Sequence, residues 1–298
     1  MTTQSNEFQT LLKNKDHLNA IRYIRAHKLR EPEKVLHHGF LLLGNDLSKH
    51  SKNTTICSEY ERLGVLEDIC LAALDSQNHA VAERALGCIK SYAGKESVRY
   101  RRLLGLCLES SDDLEGALAV YNFLLKDNPS NVYALKRKYC ILKASVGGSG
   151  GGSDDDLQRE LEAREALNEY LERCGADSGA WAEMASSCVD MGDYAGAAYC
   201  YEEIVLSHPM NSEAHCTLAE LYLTSGGKDE LKLARKHMAQ CLELDPTNLR
   251  ATYGLISAAE TYIEKCRDKE NIGEDEIAIA EELIKYGVNK LSNHYKGT

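Results

Sequence analysis

The feature that most constrains this chain is a spacing that recurs. An alanine is followed four residues later by a large ring or thioether and twelve residues later by a proline, as in Ala117, Tyr121 and Pro129. The same offsets join Ala197, Tyr201 and Pro209, and again Ala234, Met238 and Pro246. Residues four apart share one face of a helix, and proline cannot continue a helix, so each copy reads as one helix with a packed face and a defined end. Apolar spacing is helical throughout, and only four prolines interrupt 298 residues. Such self-similarity predicts an array of like units, each burying its apolar face only against its neighbours.

Upstream of each anchor lies a second helix whose residues interlock with the first: Leu104 and Gly105, then Trp181, Met184 and Ala185, then Leu218, Ala219 and Tyr222. This resembles the tetratricopeptide repeat, a helix pair of about 34 residues. A small residue is required where the two axes cross closely. Asp112, Asp113 and Asp193 are read as caps that accept amide protons at the start of the second helix. Fainter copies occupy residues 63–97 and 132–177. The distance from Ala117 to Ala166 is 49 residues and from Ala197 to Ala234 is 37, which places the excess at Gly147–Ser153 and at Gly226-Gly227. The expected fold is all-α, a right-handed superhelical solenoid of tetratricopeptide-type helix pairs. Residues 1–62 form a helical capping segment, 63–265 the repeat array, and 266–298 a carboxy-terminal capping helix. Residues 146–156 are expected to be a Gly/Ser loop, whose seven Gly/Ser residues span about 13 to 16 Å as a coil, with the next helix starting at Leu157. Two further helices are expected at 249–265 and 274–291.

Composition narrows the function. Lys and Arg number 35 against 46 Asp and Glu, a net charge of −11 that repels phosphate backbones and excludes a general nucleic-acid binder. No apolar run approaches the roughly 20 residues that cross a bilayer, and the polar first sixteen residues lack a signal-peptide pattern, so the chain is expected in the cytoplasm with membrane association only through partners. Eleven scattered cysteines, never closer than twelve residues, read as reduced thiols acting as small core residues. No CxxC, HExxH, GxSxG or phosphate-loop pattern is present, so no catalytic residue, metal site or cofactor is assigned. His37-His38 is read as helix surface, Trp181 as packing, and Tyr121, Tyr170 and Tyr201 as core.

In tetratricopeptide arrays, positions 2, 5, 9 and 12 of the first helix line a groove. Here they give Arg99, Arg102, Leu106 and Glu109, then Tyr133, Lys136, Cys140 and Lys143, a basic half suited to an acidic peptide or carboxylate. Later repeats offer Ala182, Ser186, Glu220, Arg250 and Tyr253, a more neutral surface. The partner-binding groove is therefore expected at Arg99, Arg102, Leu106, Tyr133, Lys136, Lys143, Ala182, Ser186, Arg250 and Tyr253. Ordinary solvated helix charge is the competing reading of its cations. Position 9 holds Leu106, Cys140, Ser186 and Glu220 rather than the Asn of chaperone-binding repeats, which disfavours that role.

Beyond the repeat pattern, Ala166–Glu172, Ala180-Trp181-Ala182-Glu183, Asp193–Ala198, Pro209 with Asn211, Gly226-Gly227, Leu233–Lys236 and Asn248–Leu255 occur in an order that resembles the family of the second subunit of the endoplasmic reticulum membrane protein complex. The resemblance runs from about Leu63 to Ala259. It implies a non-catalytic, cytosolic scaffold of a membrane protein insertase, peripheral on the endoplasmic reticulum membrane, that helps place tail-anchored and multipass proteins. The implied partners are the membrane-embedded third and fifth subunits and the cytosolic eighth or ninth. The alternative is an unrelated tetratricopeptide-repeat adaptor that binds peptides.

Overall fold

The computed structural model describes residues 11, 13–47, 58–146, 154–267 and 274–296. Among these, fourteen helices follow one another and no residue is in a strand. The chain divides into two compact units, Met1–Ala163 and Arg164–Thr298. The first contains α1 (His17–Ala26), α2 (Pro32–Leu43), α3 (Glu59–Asp75), α4 (His79–Ala93), α5 (Val98–Ser110), α6 (Leu114–Asp127) and α7 (Val132–Val146). Helix α8 (Asp154–Arg173) runs across the division. The second unit continues with α9 (Ser178–Asp190), α10 (Tyr194–Ser207), α11 (Ser212–Ser225), α12 (Lys228–Leu244), α13 (Leu249–Arg267) and α14 (Glu274–Lys296). Within each unit a helix packs chiefly on its sequence neighbours, the contact pattern of a repeat array.

The anchors lie where close crossings need them. Ala117, Ala197 and Ala234 are fully buried, as are Tyr121 and Met238. A methyl added at Gly105 would come 2.5 Å from Tyr121 Cζ, so α5 and α6 approach because position 105 carries no side chain. The fainter copies are core as well: Leu66, Ile69, Cys70, Ala82, Leu86 and Ile89 in one, Ala166 and Tyr170 in the other. Tyr201 departs from the expectation, because it is only half-buried while Ala198, Cys200 and Ile204 carry the packed face of α10. Trp181 is likewise half-buried, with its indole Nε1 donating to the Gly175 carbonyl at 2.8 Å.

Turns follow from local chemistry. Asp113 and Asp193 accept from the amides of Gly116 and Gly196, each at 2.9 Å, capping α6 and α10. Asp112 does not cap; it takes the left-handed turn before the helix, at φ 63°. Each anchor proline is followed two residues later by an asparagine that caps the next helix. Asn131, Asn211 and Asn248 accept from Ala134, Ala214 and Ala251 at 3.2, 3.2 and 3.0 Å. Gly226 ends α11 in the left-handed region at φ 69°, and Gly227 opens α12, so the three-residue excess is a turn.

The ends differ from the sequence reading in detail. Helix α8 begins at Asp154 rather than Leu157. Val146 belongs to α7, and 147–153, the rest of the expected loop, lie outside the described residues, as do 1–10 and 48–57 of the amino-terminal segment. The last two helices run to Arg267 and Lys296, and Tyr262 and Ala280 bury against Leu231 between them. No helix among the described residues is long and apolar enough to cross a membrane.

Candidate partner-binding faces

In the first unit, α5 buries Tyr100, Leu103 and Gly105, which turns Arg99, Arg102, Leu106 and Glu109 to the other side by helical period. Helix α7 repeats the arrangement with Ala134, Leu135, Tyr139 and Ile141 buried and Lys136 and Lys143 exposed. Arg102 lies 4.4 Å from the centre of the Tyr133 ring, a cation over an aromatic face that joins the two helices. Tyr133 in turn meets Tyr121 edge-on at 6.1 Å, and burial pushes both phenols upward. Tyr121 donates to Glu109 Oε1 at 2.6 Å, and Arg137 Nε donates to the same oxygen at 3.0 Å. Leu106 packs as a half-buried residue against the core of the unit.

The cations of this face are largely compensated from within the chain. Arg99 Nε pairs with Glu67 Oε1 at 2.6 Å and stands 5.2 Å over the Tyr60 ring. Lys143 Nζ pairs with Glu160 Oε1 at 3.0 Å. Burial raises the Glu67 carboxyl above its ordinary range, against the pull of Arg99 and Arg102. The exposed group that presents charge together with an aromatic plane is thus Arg102 on Tyr133, with Lys136 exposed one helix away. The sequence reading did not place Glu67 or Glu160. Glu67 holds position 5 of the copy at 63–97, so the groove rule applied one repeat earlier names it.

In the second unit, α9 presents Ala182 half-buried and Ser186 exposed. Arg250 on α13 is clamped by two carboxylates of α11: its Nη1 lies 2.8 Å from Glu213 Oε1, and Nε and Nη2 hold Glu220. The hydrogen bonds to Glu220 hold the guanidinium above its ordinary value. Tyr253 is half-exposed, its hydroxyl 3.1 Å from that of Tyr295. Arg250 therefore ties two helices together as much as it faces outward.

The histidines were only partly legible. His37 is exposed, but His38 is buried with Nδ1 3.0 Å from His17 Nδ1. Adjacent residues of a helix lie about 100° apart, so the pair straddles the edge of the core. A second pair joins α11 to α12, with Nδ1 of His215 and His237 2.9 Å apart and the His215 Nε2 3.0 Å from the Pro209 carbonyl. The ten cysteines among the described residues are unbridged; six are buried and four half-buried. No group of three or more metal-type ligands occurs among the described residues.

Residues 95–228 match the sequence model of the EMC2 TPR-like repeat domain. A Xenopus tropicalis protein, ER membrane protein complex subunit 2, is 34% identical over 232 residues, covering 78% of this chain and 71% of that protein. The chain belongs to the ER membrane protein complex subunit 2 family. The Dictyostelium discoideum member of this family is 29% identical over 258 residues, covering 83% of this chain and 74% of its own. Among solved structures, part of a TPR repeat-containing protein of Cytophaga hutchinsonii aligns at 13% identity and a TM-score of 0.48, covering 96% of this chain and 98% of that one. The family assignment rests on the two relatives. Within the subunit 2 family match lie Arg99, Arg102, Leu106, Tyr133, Lys136, Lys143, Ala182 and Ser186.

Proposed function

We propose that this chain is a non-catalytic scaffold subunit of an endoplasmic reticulum membrane protein complex, peripheral on the cytosolic face of that membrane. Its repeat faces hold extended cytosolic segments of membrane-embedded subunits, the third and fifth, and dock the eighth or ninth subunit, during insertion of tail-anchored and multipass proteins. The observation that carries this reading is the 34% identity with ER membrane protein complex subunit 2 across 71% of that relative. The Arg102–Tyr133 platform supports it physically, because a guanidinium held over a ring is orientated for a carboxylate while the ring offers apolar contact. Groove positions Leu106, Lys136 and Lys143 extend that platform along α5 and α7, and Ala182, Ser186, Arg250 and Tyr253 form the corresponding face of the second unit.

Affinity purification of the tagged full chain from detergent-solubilised membranes tests the proposal. Co-elution of membrane-embedded chains in fixed proportion is expected. Recovery of soluble partners alone would overturn it and favour a free-standing peptide adaptor.

A further inference from the structure

The second unit holds a cavity of about 420 Å3 against α12 and α14 that involves none of the groove residues. Arg235 lines it and is only 7% exposed, yet its Nε and Nη1 hydrogen-bond to nothing. The guanidinium lies 4.1 Å from the centre of the Tyr262 ring, which fixes its plane. Buried polar groups are normally satisfied, and a guanidinium with donors unspent in a sheltered site is where an anion gains most.

The neighbouring carboxylate, Glu276, attracts Arg235 through space but spends its hydrogen bonds on other groups. Glu276 is engaged by Lys232, whose Nζ lies 2.7 Å from Oε1, and by the Tyr262 hydroxyl; these bonds hold its carboxyl below the ordinary value. Lys236, exposed at the rim, pairs with no carboxylate among the described residues. The apolar part of the lining is Ala239, on the same helix as the two cations, with Ile279 and Leu283 on α14; Ile279 is 53% exposed.

We propose that this cavity binds an acidic peptide segment, in which an Asp or Glu carboxylate is taken by Arg235 and Lys236 and an adjacent apolar side chain packs on Ile279 and Leu283. A phosphate backbone or anionic membrane would leave the apolar wall of Ala239, Ile279 and Leu283 unused. The volume lies toward the lower end of the roughly 300 to 1,000 Å3 typical of ligand pockets, room for two side chains of an extended segment.

The test uses the full chain with methyl-labelled Ile and Leu, titrated with N-acetylated, C-amidated Gly-Leu-Asp-Leu-Gly and with its Asn counterpart. The Asp peptide is expected to shift the methyl resonances of Ile279 and Leu283 and to bind about tenfold more tightly than the Asn peptide. Because Arg235→Gln risks the fold, Lys236→Ser and Ile279→Ser carry the test. Each is expected to weaken the Asp peptide severalfold with an unchanged melting temperature. No binding of the Asp peptide, equal affinity for the two peptides, or shifts confined to other methyls would overturn the proposal. So would hexanoate binding as tightly as the peptide, which would mark a small-acid pocket. Phosphate displacing the peptide equally from the parent chain and from Ile279→Ser would mark a plain anion site and also overturn it.

Discussion

At Gly105 the distance between two helices is set by the absence of one methyl group. A Cβ there would fall 2.5 Å from Tyr121 Cζ, and Tyr121 has nowhere to go because it is fully buried and its hydroxyl is held by Glu109. Gly105→Ala is expected to cost about 1 to 3 kcal/mol, the usual range for overpacking. Ala197, also fully buried, predicts the same range for Ala197→Leu in the second unit. Thermal unfolding measures both, at roughly 2 to 4 °C per kcal/mol for units of this size. An unchanged melting temperature for either variant would show that its crossing is looser than described. The anchor pattern revealed these positions because a repeated spacing reports a repeated contact. It misplaced Tyr201, since a half-buried ring and a buried one satisfy the same spacing when Ala198, Cys200 and Ile204 already fill the contact.

Between elements, two histidine pairs form seams, one joining α1 to α2 and the other α11 to α12, and one ring of each, His38 and His237, is proton-sensitive. Burial first, and the facing histidine second, hold His38 and His237 below their ordinary value. The folded state therefore favours the neutral rings, while the unfolded chain takes up protons near the ordinary value of about 6.5. Their contribution to stability is complete above that pH and is lost as pH falls through the lowered folded values. Glu67 and Asp68, raised by burial, act in the opposite sense, but from an ordinary range near 4. The urea midpoint is expected to fall between pH 7.5 and 5.5, and His38→Phe with His237→Phe to flatten that dependence. Equal midpoints at the two pH values in the parent chain would contradict it. The Arg250 clamp predicts less: with half its side chain exposed, Arg250→Ala is expected to cost no more than about 1 kcal/mol by urea unfolding. These cross-helix partners were not legible beforehand, because His17 and His38 are 21 residues apart and nothing in the local spacing pairs them.

At the scale of the whole molecule, what could be read from sequence is what depends on periodicity. The anchors, the turn at Gly226-Gly227 and the two last helices follow from spacing and from residues that cap or break helices. What required three dimensions is compensation: Glu67 and Glu160 meet Arg99 and Lys143 from other helices and turn a basic row into a set of pairs centred on Arg102 and Tyr133. Helix α8 starts at Asp154, three residues before the start expected from the sequence. The Gly/Ser tract at 147–153 joins α7 to α8, and shortening its seven residues to four is expected to leave the melting temperature nearly unchanged, since loop closure varies by only about 0.6 kcal/mol per doubling of length. Abolished complex assembly with an intact fold would instead make that tract a binding element. The central claim is that the α5–α7 face holds a partner through Arg102 and its neighbours, and co-purification of Arg102→Glu/Lys136→Glu from solubilised membranes tests it most directly. Charge-assisted hydrogen bonds contribute about 1.5 to 3 kcal/mol each when sheltered by a partner, so the account predicts loss of membrane subunits from the eluate with the circular dichroism spectrum unchanged. Undiminished co-purification of the folded variant would contradict it.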